Sequence, residues 1–290
     1  MDLPACVVAL GEQLRGAEEI SPDPALFCDA DVFAAERARI FMQPLLAVDH
    51  ASRLSENGHY FRCDAAPRSL IVTRENGGRL HALRNVCLHA GYPVCEAEEG
   101  PAERLVCLYH GWEYTLDGRL VEPALSSRID PSRLRLAEYP VQIRNGLILV
   151  NLSGRADSIE QVSDALPAWL DAARVTGRAR YSTPRNWKFL HRFLRSSAQL
   201  FFGDALDFCF EFGPLSLLMV RSQQAVLFRV IPRFAEQTDF ESIAMAAASV
   251  AEPVASAASD AIEDGLRRAD GSLWFDRPFA DWYWSLMSAA

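Results

Sequence analysis

Residues 85–120 read NVCLHAGYPVCEAEEGPAERLVCLYHGWEYTLDGRL. Two segments of the same kind stand out, Cys87-Leu88-His89 and Cys107-Leu108-Tyr109-His110, with seventeen residues between them. Each offers one thiol and one imidazole, so two loop tips could close over a single metal centre with both histidines at its exposed edge. Cys87, His89, Cys107 and His110 are the candidate metal- and cofactor-binding residues. A [2Fe–2S] cluster held by two Cys on one iron and two His on the other uses this donor set, and neutral imidazoles raise its potential above that of an all-Cys cluster. A Cys2His2 zinc site is the rival. Zinc ligands usually come as a Cys pair followed by a His pair, whereas each segment here mixes the two types. Four unrelated core and loop residues are the remaining alternative.

The flanks read as β structure. RSLIVTR is rich in β-branched residues, residues 75–78 (ENGG) make a turn, and RLHALRNV follows. Asp117-Gly118 and Asn145-Gly146 are hairpin signals, the second between VQIR and the apolar run LILVNL. On the N-terminal side, Asp31 is expected to cap a helix from about Val32 to Phe41. Beyond Ser153 the texture shifts. Ser158–Arg174 and Asn186–Phe202 carry helical spacing of apolar residues, Leu166 and Leu170 in the first, Trp187, Leu190 and Leu194 in the second. SLLMV, AVLFRVIP and FESIAMA read as strands, and helices are expected around Ala257–Arg268 and Pro278–Met287.

The chain of 290 residues can hold two domains, and its net charge of −9 argues against a nucleic-acid partner. The start, MDLPACVVALGEQL, lacks a basic n-region and makes a poor signal peptide. No stretch approaches the ~20 apolar residues of a membrane span, so a soluble, cytoplasmic protein without a membrane partner is expected. Seven scattered cysteines do not form a disulfide framework. Cys95 has no free ligand position to fill, and Cys6, Cys28, Cys63 and Cys209 read as small hydrophobes. His50, His59 and His81 read as surface or turn residues.

NVCLHAGYPVC and LVCLYHGWEYTLDGRL resemble the two cluster-binding loops of the Rieske non-heme iron ring-hydroxylating oxygenases, large (alpha) subunit. The likeness takes in Gly111-Trp112, Tyr114 and the Asp117-Gly118 turn, and upstream DVFAAERARIF and Gly58-His59-Tyr60. It covers roughly residues 25–152. The resemblance implies that Trp112 sets a large ring beside the cluster. Cytochrome-complex Rieske proteins carry an extra Cys in the second loop, where Leu108 or Tyr109 stands here, so the oxygenase or ferredoxin branch is favoured. Ala90-Gly91 departs from the family's usual Arg-Gly.

The family also implies a second domain with a mononuclear iron held by two His and one carboxylate, leaving positions open to O2. Asn186-Trp187-Lys188 is similar to the start of the family's iron-bearing helix. The expected histidines fall on Gln199 or Leu200 and on Asp204 or Ala205, and the bridging acid on Ser196 or Ser197. His191 is the last histidine of the sequence and comes too early. Asp260 is the nearest counterpart of the carboxylate. The mononuclear site is therefore expected to be degenerate, with Fe(II) absent from this chain.

The expected fold is α+β. It comprises an N-terminal segment and helix (1–39), a Rieske antiparallel β domain (40–153) and a reduced helix-grip (START-like) α+β domain (154–290). The expected function is that of a Rieske [2Fe–2S] oxidoreductase subunit active with a partner. Electrons would pass from a reductase or ferredoxin to the mononuclear iron of a homologous oxygenase subunit in a hetero-oligomeric ring, a trimer or a multiple of one, for O2-dependent oxidation of a small organic substrate. The alternatives are a self-sufficient oxygenase with Asp204, Asp207, Glu211 or Cys209 as atypical ligands, and a non-catalytic redox-sensing subunit.

Overall fold

The computed structural model describes residues 2–16, 19–42, 44–65, 68–122, 130, 133–155, 162, 166–196, 202, 206–251, 264–265 and 275–289. The chain divides into two compact units, Leu45–Ala172 and the combination of Met1–Pro44 with Ala173–Ala290. Among the described residues no helix is long and apolar enough to cross a membrane.

The Leu45–Ala172 unit is built from short antiparallel strands. These are β1 (Leu45–His50), β2 (His59–Ala65), β3 (Arg68–Arg74), β4 (Leu80–Arg84), β5 (Glu99–Pro101), β6 (Leu105–Val106), β7 (Glu113–Tyr114), β8 (Leu120–Glu122), β9 (Glu138–Tyr139), β10 (Val141–Arg144) and β11 (Leu147–Asn151). They form sheets of order β1-β11-β10, β5-β2-β3-β4-β9 and β6-β7-β8. Strand β2 shows why: Phe61, Cys63 and Ala65 point inward while Tyr60, Arg62 and Asp64 stay half-exposed, the period-two pattern of a one-sided strand. Strand β11 is buried throughout and is paired on both sides. Its hairpin turns on Asn145 and Gly146, at φ 45° and 71°. Position 146 admits no side chain, since a Cβ there would lie 2.3 Å from the Leu170 carbonyl oxygen.

Two histidines expected at the surface are buried here. His50 is held by the Ser52 hydroxyl at 2.8 Å and the Leu170 carbonyl at 2.9 Å. His81 lies against the Glu138 carboxylate at 2.7 Å. His50 closes β1 and His81 lies within β4; oxygens take the place of water at both nitrogens of His50 and at Nδ1 of His81, whose Nε2 lies 3.6 Å from the Glu75 carboxylate.

The other unit begins with helices α1 (Ala5–Gly16), α2 (Ala25–Cys28) and α3 (Ala30–Glu36), the last widening into a π-helical turn at Arg37–Phe41. Asp29, not Asp31, is the cap. Its extended backbone lets the carboxylate accept from the amides of Asp31 (2.7 Å) and Val32 (3.0 Å), and Asp31 already lies in the first turn. A five-stranded antiparallel sheet follows, of order β12-β16-β15-β14-β13, from β12 (Arg174–Thr183), β13 (Phe208–Glu211), β14 (Ser216–Arg221), β15 (Gln224–Phe234) and β16 (Gln237–Ala246). Helices α4 (Trp187–Ser196) and α5 (Arg277–Ser288) complete it.

The strands expected at SLLMV, AVLFRVIP and FESIAMA are β14, β15 and β16, and the last expected helix is α5. Arg174 opens a strand rather than closing a helix, after a 3-10 turn at Ala168–Ala172. The edge strands β12 and β13, with arginines and mixed burial, carry too weak an alternation to be read in advance. The helix expected at 257–268 lies outside the described residues apart from 264–265.

The first and last helices of this unit meet closely. A Cβ on Gly11 of α1 would fall 2.4 Å from the Trp284 ring of α5. Deeper in, the buried Glu36 carboxylate accepts from Trp187 Nε1 (2.8 Å), the Tyr283 hydroxyl (2.7 Å) and the Lys188 ammonium. Phe27, Trp187 and Tyr283 place their rings within 5.0–5.4 Å of that ammonium. Asn186 donates to the carbonyls of Phe27 (2.8 Å) and Ala235 (2.6 Å), and its side-chain oxygen accepts from the amide of Lys188. The Asn-Trp-Lys motif thus ties α2, α3, α5 and the β15–β16 turn to the head of α4.

Candidate metal centre

The two metal-binding segments fold into matching loops. In the first, the Cys87 amide donates to the Tyr92 carbonyl (2.7 Å) and the Gly91 amide to the Cys87 carbonyl (3.0 Å). In the second, Cys107 donates to Trp112 (3.0 Å) and Gly111 to Cys107 (2.8 Å). The fourth residue after each cysteine is therefore a glycine, at φ 75° and 70°. That left-handed backbone would cost a side-chain-bearing residue about 1–2 kcal/mol.

Asn85 fastens the far end of the first loop. Its oxygen accepts from the amides of Val94 (2.8 Å) and Cys95 (2.9 Å), and its nitrogen donates to the Cys95 carbonyl (2.9 Å). All these bonds are buried, so the amide is satisfied where water cannot reach.

The four candidate ligands come together. Cys87 and Cys107 are 3% and 2% exposed and belong to a core cluster with Ile71, Leu83, Val94, Trp112 and Tyr114. His89 is exposed and His110 half-buried, with their Nδ1 atoms 3.0 Å apart. The Cys107 sulfur reaches the Pro93 carbonyl at 3.5 Å, and the Cys87 sulfur the Tyr114 hydroxyl at 3.2 Å. The Leu88 amide donates to that hydroxyl at 3.0 Å, which leaves the phenolic proton free to point at the sulfur. Burial, followed by the Cys87 thiol beside it, pushes the Tyr114 hydroxyl well above the usual phenol range, so it stays a donor.

Burial also raises Cys107 above the ordinary thiol range. A thiolate there needs a cation beside it, as metal binding provides. Among the described residues no three His, Cys, Asp or Glu side chains converge on one ion. Two buried thiols and two imidazoles whose Nδ1 atoms meet at 3.0 Å make up the donor set of a binuclear cluster with mixed Cys and His ligands. Cys95, close by, is a different kind of thiol: burial pushes it up to about 12, and it remains neutral.

Around the histidines the surface is apolar. Leu108 is 73% exposed, and Leu88, Tyr92 and Tyr109 are exposed as well. Trp112 is buried and lies parallel to the His89 ring.

Of the residues expected around a mononuclear iron, Ser197, Gln199, Leu200, Asp204, Ala205 and Asp260 lie outside the described residues. Ser196 ends α4, its hydroxyl donating to Arg192 and Phe193 carbonyls. His191 is buried flat on Trp282, ring centroids 4.6 Å apart, and burial with the Arg195 charge pushes it down to about 3. The Asp207 carboxylate accepts from the Ser222 amide, and Glu211 pairs with Arg195 at 3.0 Å. Cys28 and Cys209 are exposed rather than core residues.

Residues 45–140 match the model of the Rieske [2Fe-2S] domain. The chain is 27% identical over 176 residues to a glycine betaine monooxygenase oxygenase subunit of Pseudomonas aeruginosa, covering 58% of this chain and 41% of that protein. It is 26% identical over 180 residues to the biphenyl 2,3-dioxygenase subunit alpha of Rhodococcus jostii, covering 58% and 39%. The chain thus spans about two fifths of the length of the curated relatives it matches. Its fold is that of the quaternary ammonium Rieske monooxygenase CntA, with TM-score 0.68, 19% identity, and 91% and 83% of the two chains covered. Residues 45–140 thus match the Rieske [2Fe-2S] domain, and over 58% of its length the chain is similar to oxygenase subunits that carry one.

Proposed function

We propose that Cys87, His89, Cys107 and His110 bind a [2Fe–2S] cluster and that the chain relays single electrons from a reductase or ferredoxin to a mononuclear iron on a partner subunit. That iron would carry out O2-dependent oxidation of a small organic substrate. The observation that carries this reading is the pair of matching loops, each with a buried cysteine and a histidine, whose two Nδ1 atoms lie 3.0 Å apart. The match of residues 45–140 to Rieske domains favours the cluster over a Cys2His2 zinc site. When bound, the cluster supplies one-electron transfer at a potential raised by its histidines.

The chain's own residues divide the remaining work. Cys87 and Cys107 would hold one iron away from water, since both are buried in the core formed with Trp112 and Tyr114. Tyr114 directs its hydroxyl proton at the Cys87 sulfur, which favours the more negative, reduced state. His89 and His110 would hold the other iron toward the surface, where Leu88, Leu108, Tyr92 and Tyr109 are exposed. A partner taking electrons at that surface meets no charged side chain in residues 87–92 or 107–112.

The proposed partner requirement rests on Gln199, Leu200, Asp204 and Ala205, which stand where the family resemblance expects the two iron-binding histidines. O2 activation requires an iron with open positions, and two His with one carboxylate are its usual donors. Iron, acid-labile sulfide and electron paramagnetic resonance on the chain expressed alone are expected to show about two irons and two sulfides, with a mixed Cys/His signal. Stoichiometric zinc or an all-Cys spectrum would overturn the cluster. The chain alone is expected to reduce and reoxidise without oxidising substrate. Turnover should appear with a homologous subunit bearing an intact mononuclear site, and Cys107→Ala in this chain should abolish it. A third iron together with turnover by the isolated chain would overturn the partner requirement.

A further inference from the structure

The fifth residue after each cysteine is aromatic, Tyr92 in the first loop and Trp112 in the second, and each side chain reaches across to the other loop. Trp112 lies flat against the imidazole of His89, ring centroids 5.0 Å apart and planes 14° apart. Tyr92 stacks on Tyr109 of the second loop, at 3.9 Å and 16°. Tyr109 in turn meets the ring of its neighbour His110 at 3.9 Å and 60°.

The backbone of each loop is accounted for by its two hydrogen bonds and its glycine, but these leave the imidazole planes free. Rotation of an imidazole about its final side-chain torsion is soft, with broad wells. The 3.0 Å approach of the two Nδ1 atoms requires both planes to be set. Besides the edge contact between the two imidazoles, at 4.5 Å, the ring contacts that can set them come from Trp112 on His89 directly and from Tyr92 on His110 by way of Tyr109. The two supports also differ. Trp112 is itself buried in the core cluster and gives His89 a fixed floor. Tyr92 and Tyr109 are 47% and 52% exposed and hold His110 from the solvent side.

Building on the cluster proposed above, we propose that Tyr92 and Trp112 are reciprocal positioning residues. Each loop carries the aromatic ring that orients the other loop's histidine toward the cluster, so neither loop presents its imidazole correctly alone. Tyr92 acts through Tyr109, and Trp112 acts directly.

The full-length protein, loaded with its cluster, provides the test. Trp112→Leu and Tyr92→Leu remove a ring plane while keeping apolar bulk, and Trp112→Phe and Tyr92→Phe restore one. Pulsed paramagnetic resonance of the reduced cluster reads the nitrogen couplings of the two histidines separately. Trp112→Leu should shift one coupling and leave the other at its wild-type value, and Tyr92→Leu should do the reverse. The Phe variants should return both couplings toward wild type. Cluster loss from the Leu variants should be roughly 2- to 10-fold faster, the factor that one aromatic stacking contact is worth. Should a Leu variant empty during purification, the Met variant at that position takes its place in the same measurement. Two variants that shift the same coupling, or that lower the melting temperature with both couplings unmoved, would overturn the inference while leaving the cluster in place. A wild-type spectrum without histidine couplings would instead overturn the cluster reading beneath it.

Discussion

Replacing Glu36 by Gln tests whether the buried charge pair at the head of α4 stabilises the unit that contains it. Glu36 accepts from Trp187, Tyr283 and Lys188, and all four side chains are essentially inaccessible. Gln keeps the shape and one acceptor oxygen but leaves the Lys188 ammonium without a counter-charge. Even in the wild-type protein burial draws the Lys188 pKa down, with the Glu36 charge drawing it back up. In the variant that charge is gone while the burial stays, and the lysine would fold as the neutral amine. Deprotonating a lysine with a solution pKa of ~10.4 at pH 7 costs about 4.6 kcal/mol at 1.36 kcal/mol per unit, which caps the electrostatic loss. Breaking a buried pair by removing one partner typically costs about 3–5 kcal/mol, in agreement.

The pH dependence identifies the cause. With its folded pKa depressed, Lys188 binds fewer protons folded than unfolded at every pH between the folded pKa and ~10.4, so stability rises with pH across that window. The rise is larger in Glu36→Gln, whose lysine is depressed further. The deficit should therefore shrink by up to about 1.4 kcal/mol per pH unit on going from pH 7 to 9.5. Urea unfolding of both proteins at the two pH values, followed by circular dichroism, measures this directly. A loss below about 1 kcal/mol at pH 7, or a deficit that stays constant with pH, would refute the argument.

Two further outcomes follow from single contacts. Tyr114→Phe removes the hydroxyl 3.2 Å from the Cys87 sulfur and should leave the cluster bound while lowering its reduction potential by roughly 60 mV, one tenfold step in a one-electron equilibrium. A redox titration that finds the potential unchanged counts against that hydrogen bond. Gly11→Ala drives a Cβ to within 2.4 Å of the Trp284 ring and should cost about 1–3 kcal/mol by overpacking, read as a lower melting temperature. An unchanged melting temperature would mean that α1 and α5 separate freely.

Much of the site is legible in the sequence because its chemistry is local. Each loop is a run of six residues from cysteine to aromatic, 87–92 and 107–112, and its donors, its left-handed glycine and its closing hydrogen bonds all lie within that run. The turns at Asp117-Gly118 and Asn145-Gly146, and the strands from SLLMV to FESIAMA, are local in the same sense, since period-two patterning and positive-φ residues act over a few positions. Tertiary structure decided what depends on residues far apart. Glu36 meets Trp187, Lys188 and Tyr283 across 151, 152 and 247 positions, and no pattern around Glu36 distinguishes it from a surface acid. The first 44 residues join the unit formed by residues 173–290, though 128 residues of the other unit intervene. His50 and His81 are buried against the Leu170 carbonyl and the Glu138 carboxylate on other elements, which their neighbours in sequence do not reveal. The crossed aromatics at Tyr92 and Trp112 belong to the same class: the sequence places a ring five residues after each cysteine, but only the packing of one loop against the other decides which histidine each ring supports.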